Sequence, residues 1–265
     1  MSSAVDLEVI YRILNAPLRA FPFPHLYVPD ILPPDYYAEL QANLPRAELL
    51  KPLAEARGTQ GYPERFVLAL GGPLPEAMSP AQRAFWDGFG RMLLGGRLAH
   101  AVLQKFAAEI GEQLRDQPDA EITDESLLVL DRTRYALGPH TDSPRKAASL
   151  LFYLPRDARH AAHGTSLYVP RDPDFTCPGD RHHDFADFER VATMPFAPNS
   201  LFAFPKTRAS FHGVEPILEP GVERYLALYD LRVQPGPGAA AAAGPAAAPG
   251  GPSTPPGGPA IRFRM

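Results

Sequence analysis

Two hydrophobic periods divide the chain. Over residues 1–120 apolar positions recur at helical spacing. In "MSSAVDLEVIYRILNAPLRA" the residues Val5, Val9, Ile10, Ile13 and Leu14 fall near one face with acidic residues early, which predicts an amphipathic helix. "PPDYYAELQANLP" offers a helix between prolines, and "SPAQRAFWDGFGRMLL" another with Ser79 as N-cap and Pro80 in the first turn. Gly95 and Gly96 permit a break. Leu98, Val102, Phe106, Ile110 and Leu114 then recur every four residues, and one further helix with a single buried stripe is expected. From Ser126 the pattern changes to short runs rich in β-formers: "SLLVLDRTRY", "SLLFYLP", "TSLYVP", "RVATMPF", "SLFAFP", "FHGVEP" and "RYLALYDLRV". Gly and Pro between them indicate an antiparallel sandwich or barrel.

The organisation this predicts is one domain over residues 1–233, with 1–120 as mainly helical support and 121–233 as the β core. Residues 234–265 are expected to be a disordered Pro/Gly/Ala-rich tail. Gln234 to Ala260 contains only Gln, Pro, Gly, Ala, Ser and Thr, too little apolar surface to offset the entropy of ordering. The closing "IRFRM" is too short to fold by itself and reads as a frayed end, with packing back or docking as the alternative. The widest gap between β runs, Arg171 to Glu189, is a long surface excursion, either a lid or substrate loop or a disordered one.

Charge and cysteine content narrow the partners. With 26 basic against 30 acidic side chains and no long Lys/Arg cluster, the footprint of a nucleic-acid binder is absent. No stretch of about 18 apolar residues predicts a membrane span, and the N-terminus lacks the basic start and apolar run of a signal peptide. The single cysteine, Cys177, excludes an intrachain disulfide framework and a Cys-only zinc site. A cytoplasmic protein acting on a small-molecule or peptidyl substrate is expected.

The candidate chemistry begins in "YALGPHTDSP". Gly138 and Pro139 mark the exit of a strand, with His140 and Asp142 just past it. Residues two apart in extended chain point to the same side, so this imidazole and carboxylate can converge. A third group must come from elsewhere. Of the eight histidines, His25 and His100 fall in the helical half and read as packed or surface residues. His160 and His163 flank a turn after "SLLFYLP". His182 and His183 form a doublet in the long loop, solvated or metal-scavenging, and with Arg181 could contact substrate. His212 stands at the start of a predicted strand. Together, His140, Asp142 and His212 are the two imidazoles and one carboxylate of a facial triad suited to non-haem iron(II), with positions left open for a 2-oxo acid and dioxygen. Arg224, opening the last strong strand, offers a planar fork for the distal carboxylate of 2-oxoglutarate. Tyr153 is read either as a donor to that carboxylate or as a core tyrosine with its hydroxyl at the surface.

These segments, with "GTSLYVP" and "MPFAPNSLFAFPKTRASFHGVEPI...RYLALYDL", resemble the core of the iron(II)- and 2-oxoglutarate-dependent oxygenases, in the branch of the prolyl 4-hydroxylases. "FPFPHLYVPDILPPDYYAELQANLP" resembles that branch's entry segment, so the likeness covers most of residues 21–233. It implies a mainly β fold with N-terminal helices (α+β): a double-stranded β-helix, the jelly roll of cupin-like proteins. It also implies iron(II) on His140, Asp142 and His212, Arg224 as the basic residue for 2-oxoglutarate, and Tyr153 as an assisting tyrosine. The implied reaction decarboxylates 2-oxoglutarate to succinate and uses O2 to hydroxylate a substrate C–H bond. One departure is visible: many relatives carry Ser or Thr two residues after the basic residue, where this chain has Leu226. The alternatives are a cupin-type metal isomerase or hydrolase that does not use 2-oxoglutarate, and a non-catalytic jelly-roll binding protein.

Overall fold

The computed structural model describes residues 2–58, 61–236 and 261–262. Its helices are α1 (Ser2–Asn15), α2 (Pro34–Ala42), α3 (Leu53–Arg57), α4 (Pro80–Leu93), α5 (Arg97–Lys105) and α6 (Ala107–Leu114). Its strands are β1 (Leu26–Val28), β2 (Lys51–Pro52), β3 (Arg65–Leu70), β4 (Glu121–Arg132), β5 (Leu137–His140), β6 (Lys146–Tyr153), β7 (Ser166–Pro170), β8 (Phe188–Thr193), β9 (Ser200–Pro205), β10 (His212–Val214), β11 (Glu223–Gln234) and β12 (Ile261–Arg262). The larger sheet runs β1-β9-β6-β11-β4-β3-β2, with β12 on β4, and the smaller runs β5-β10-β7-β8. Every pairing is antiparallel. This is the antiparallel sandwich that the strand pattern predicts, in the double-stranded β-helix form that the resemblance implies.

The strands of the larger sheet read as nearly continuous apolar runs because both their faces are covered. Side chains alternate across a strand, and the two sets enter different cores. Val67, Leu127, Val129, Tyr153, Phe202, Phe204 and Leu226 pack between the sheets with Leu167 and Phe196. Their sequence neighbours Leu128, Leu130, Leu150, Phe152, Ala227 and Tyr229 pack outward on Trp86, Phe89, Val102 and Phe106 of the helical layer. A fully buried side chain of this size contributes about 1.5–3 kcal/mol, so the helices are structural partners of the sheet.

The helical layer is fixed by local sequence. Ser79 caps α4 with a reciprocal capping box: its hydroxyl accepts from the Gln82 N–H while the Gln82 side chain accepts from the Ser79 N–H. Trp86 on α4 donates its indole N–H to the Asn43 carbonyl at the end of α2.

Four differences from the sequence reading are visible. The first 120 residues contribute β1, β2 and β3 to the larger sheet as well as helices. The single helix expected from Leu98 to Leu114 is two, α5 and α6, broken at Phe106. Four-residue spacing advances about 40° beyond a full helical turn at each step, so one straight helix could not keep all five apolar residues on one face. The break re-aims the second half, and all five are buried. Gly138 and Pro139 lie inside β5 rather than after a strand, and His140 is its last residue. Proline is tolerated there because β5 is an edge strand. In the tail, Ile261 and Arg262 pair with Ile122 and Glu121, while the disorder expected over 237–260 and 263–265 lies outside the described residues.

Candidate metal centre

Strand pairing brings the two candidate imidazoles together. His212 opens β10 and is the direct cross-strand partner of His140 at the end of β5, which sets their ring centroids 4.3 Å apart. Asp142 follows two residues later, with its Oδ1 3.9 Å from His212 Nε2. The three are 8%, 7% and 6% exposed, and their candidate ligand atoms lie within 4.8 Å of one another.

The ring orientations suit a metal. His140 Nδ1 lies 3.0 Å from the Gly138 carbonyl and His212 Nδ1 2.9 Å from the Ser210 carbonyl. A carbonyl only accepts, so each Nδ1 carries the proton and each Nε2 keeps its lone pair. Burial, followed by repulsion from His212, holds His140 well below the ordinary histidine range, outweighing the pull of Asp142. Burial likewise lowers His212 against the pull of Asp142. The imidazoles are therefore neutral ligands at neutral pH, and the donor set fits a divalent ion such as iron(II) with positions to spare.

Asp142 is held as a carboxylate. Burial alone would raise its pKa, but Lys146, then His212, His140 and the Ser149 hydroxyl reverse the shift to below the usual range. Lys146 Nζ lies 3.2 Å from Asp142 Oδ1 and 2.9 Å from Asp230 Oδ2. Ser149 Oγ is 2.7 Å from a carboxylate oxygen of each aspartate, and its one proton serves one of them at a time.

A cavity of about 210 Å3 runs from the triad to Arg224. Alternation along β11 puts Arg224, Leu226 and Leu228 on its wall, with Ser149 and Leu151 beside them from β6. Arg224 is wholly buried and stands opposite Asp131 of β4, which stands opposite Arg65 of β3. The three form a row across adjacent strands. Arg224 Nη1 is 2.6 Å from Asp131 Oδ2, while Arg65 reaches Oδ1 at 2.6 Å through Nε and Oδ2 at 2.9 Å through Nη2. Two guanidiniums share one carboxylate, leaving a net positive charge on the cavity wall. Arg224 Nε also donates to the His163 carbonyl at 2.8 Å, so a guanidinium with five N–H donors keeps some for a ligand.

Tyr153 lies elsewhere. Its hydroxyl donates to Thr165 Oγ1 at 2.8 Å and accepts from the Thr165 N–H at 3.1 Å, and its ring packs in the inter-sheet core beneath the Arg224 guanidinium, 5.5 Å away. Thr165, rather than Tyr153, is on the cavity wall.

The long excursion after β7 is ordered over the site. The His183 N–H donates to the Pro139 carbonyl, Thr141 Oγ1 to the Cys177 carbonyl, and the Cys177 N–H to the Arg208 carbonyl. Phe175, Cys177, Phe185 and Phe188 pack with Tyr168 and Phe211. Gly138 is required beneath it: a Cβ there would lie 2.6 Å from the His183 carbonyl oxygen. His182 reaches the cavity, its ring centroid 4.6 Å from that of His140, and its Nδ1 lies 2.7 Å from the Tyr62 hydroxyl.

The sequence reading did not single out Arg65, Asp131, Lys146, Asp230, Tyr62 or Thr165. Asp131 and Asp230 carried a signal, being charged residues inside apolar strand runs. Arg65 and Lys146 carried none without the register.

No family model and no curated protein matches the chain. Solved structures similar to it are prolyl hydroxylases and other 2-oxoglutarate and iron(II) oxygenases. A prolyl hydroxylase from Trichoplax adhaerens, in complex with a hypoxia inducible factor peptide fragment, is 13% identical with a TM-score of 0.49, over 87% of this chain and 90% of that one. A Pseudomonas putida prolyl-4-hydroxylase is 17% identical with a TM-score of 0.45, over 88% and 98%. HygX from Streptomyces hygroscopicus, with nickel and 2-oxoglutarate bound, is 15% identical with a TM-score of 0.44, over 78% and 82%.

Proposed function

We propose that this protein is an iron(II)-dependent dioxygenase that couples decarboxylation of 2-oxoglutarate to hydroxylation of a small-molecule or peptidyl substrate. The observation that carries the proposal is one cavity with His140, Asp142 and His212 at one end and the Arg65–Asp131–Arg224 row at the other. That pairing of an open metal face with a buried cation matches a ligand that chelates at one end and is anionic at the other.

His140 Nε2, His212 Nε2 and Asp142 would hold the iron. The bound metal supplies the redox chemistry by which 2-oxoglutarate, O2 and a C–H bond become succinate, CO2 and an alcohol. The chain's own residues supply the rest. Arg224 pairs with the distal carboxylate, a charge-assisted contact that fixes the cosubstrate's reach. Leu151, Leu226 and Leu228 line the cavity between Arg224 and the triad and limit water there, while Phe204 packs on the His212 ring at 4.4 Å. Leu226 stands where a hydroxyl-bearing side chain would add a hydrogen bond, so Arg224 and Thr165 are the nearby donors. His182 and Tyr62, on two separate loops, meet over the metal ligands and are positioned to contact the substrate.

The test is turnover. Purified protein supplied with iron(II), 2-oxoglutarate and O2 should form succinate as 2-oxoglutarate disappears, and Asp142→Ala should abolish it. A wild-type protein that binds iron yet forms no succinate, with or without candidate substrates, would overturn the proposal.

A further inference from the structure

The turn "HAAH", His160–His163, forms a second ligand cluster on the opposite side of Arg224 from the triad. Residues 161–163 are one 3₁₀ turn, in which side chains three apart lie nearly above one another. The two imidazoles accordingly stand 25° from parallel with centroids 5.8 Å apart. Glu219, on the loop between β10 and β11, reaches both: its Oε2 lies 3.2 Å from His160 Nδ1 and 3.2 Å from His163 Nε2.

Those distances match a coordination shell. In a tetrahedral zinc site with bonds of about 2.0–2.2 Å, neighbouring ligand atoms are separated by about 3.4 Å. The three ligand atoms lie within 4.8 Å of one another, close enough for two imidazoles and a carboxylate to take three corners, with the fourth left to water. We infer that His160, His163 and Glu219 form a second metal site, distinct from the triad, that takes a divalent borderline ion of the zinc class with one water.

The scaffold beneath the cluster is firm. The His163 N–H donates to the His160 carbonyl, the Phe196 N–H to the Ala161 carbonyl, and Arg224 Nε to the His163 carbonyl. Gly164 is pressed so closely on Met194 that a Cβ would overlap its carbonyl oxygen. On the other loop, the Glu219 carbonyl accepts from Thr133 Oγ1. Side-chain rotation, chiefly of the half-exposed Glu219, would bring the present geometry to a bound one. A metal here would staple the β6–β7 turn, which holds Arg224 by a backbone carbonyl, to the β10–β11 loop.

The inference is independent of the oxygenase reading and is tested by zinc stoichiometry on the metal-free full chain, using zinc chloride and isothermal titration at pH 7.5. Wild type should bind two equivalents, His212→Ala one, and His160→Ala/His163→Ala one. Glu219→Gln, an exposed single-atom change that spares both imidazoles, should weaken the second equivalent at least tenfold. In the His212→Ala background, zinc should raise the melting temperature, and Glu219→Gln should remove that rise. One equivalent in wild type, or two retained by the double alanine variant or by Glu219→Gln at unchanged affinity, would overturn the second site while leaving the triad untouched.

Discussion

Replacing Arg224 with Met removes the guanidinium while keeping an unbranched side chain of comparable length, and the structure allows two separate magnitudes to be worked out. Asp131 keeps both hydrogen bonds from Arg65, so no buried carboxylate is orphaned. The His163 carbonyl loses its Arg224 donor, which costs about 1–3 kcal/mol. Asp131→Asn should cost more, about 3–5 kcal/mol, because two buried guanidiniums would then face each other without their shared anion. The effect on the proposed cosubstrate is separate from these fold penalties. Without Arg224 the Arg65–Asp131 pair is neutral, and the distal carboxylate loses a charge-assisted contact of about 1.5–3 kcal/mol. Affinity for 2-oxoglutarate should fall about 10- to 150-fold at 1.36 kcal/mol per decade. Urea denaturation gives the first quantity, and anaerobic titration of 2-oxoglutarate into the iron(II) protein gives the second. An Arg224→Met protein that loses stability but binds 2-oxoglutarate as wild type does would refute the assignment and make Arg224 a structural residue.

Two further perturbations probe the support of the triad and the packed core. In Lys146→Met, Asp142 and Asp230 lose the ammonium between them, so the metal-free protein should lose about 3–5 kcal/mol. A divalent ion then supplies the missing positive charge, so iron(II) should raise the melting temperature more in this variant than in wild type; equal increments would show that Lys146 does not neutralise the site. Burial lowers the pKa of His25, partly offset by its bond to the Phe23 carbonyl. Above pH 6.5 it is neutral folded and unfolded; as the pH falls below 6.5 the unfolded chain takes up a proton that the folded one resists, so stability is lost. His25→Gln should show a shallower decline in unfolding free energy between pH 7 and 5.5 than wild type, by at most about 1.4 kcal/mol per pH unit, and parallel curves would count against this role.

The candidate site's residues were legible in the sequence because they form an ordered set: a His-x-Asp pair near a strand end, one strand-borne histidine, and an arginine in an apolar run. What it withheld was register. Arg65 joins Arg224 through Asp131 only because β3, β4 and β11 pair so that these three residues lie opposite one another, a relation between segments far apart in the chain. The strands of the first half were hidden for a different reason. β1 and β2 span three and two residues, too few to display a period, and the apolar "RFVLAL" of β3 has no alternation to distinguish it from a buried helical turn. Tyr153 was open between two readings because spacing fixes a side chain's face but not its partner; here Thr165 takes its hydroxyl. The ordering of the long loop was equally invisible, since it depends on backbone hydrogen bonds to Pro139 and Arg208 and on a small aromatic cluster assembled from several segments.

The most direct test of the oxygenase reading is an anaerobic titration in which iron(II) and then 2-oxoglutarate are added to the metal-free chain while the metal-to-ligand charge-transfer absorption is followed. That band requires the 2-oxo acid to chelate the iron, so it reports the triad site even if other sites bind metal. The band should saturate at one 2-oxoglutarate per chain and be absent in a folded His212→Ala protein. A wild-type protein without the band at saturating iron(II) and 2-oxoglutarate, or a His212→Ala protein that retains it in full, would contradict the account.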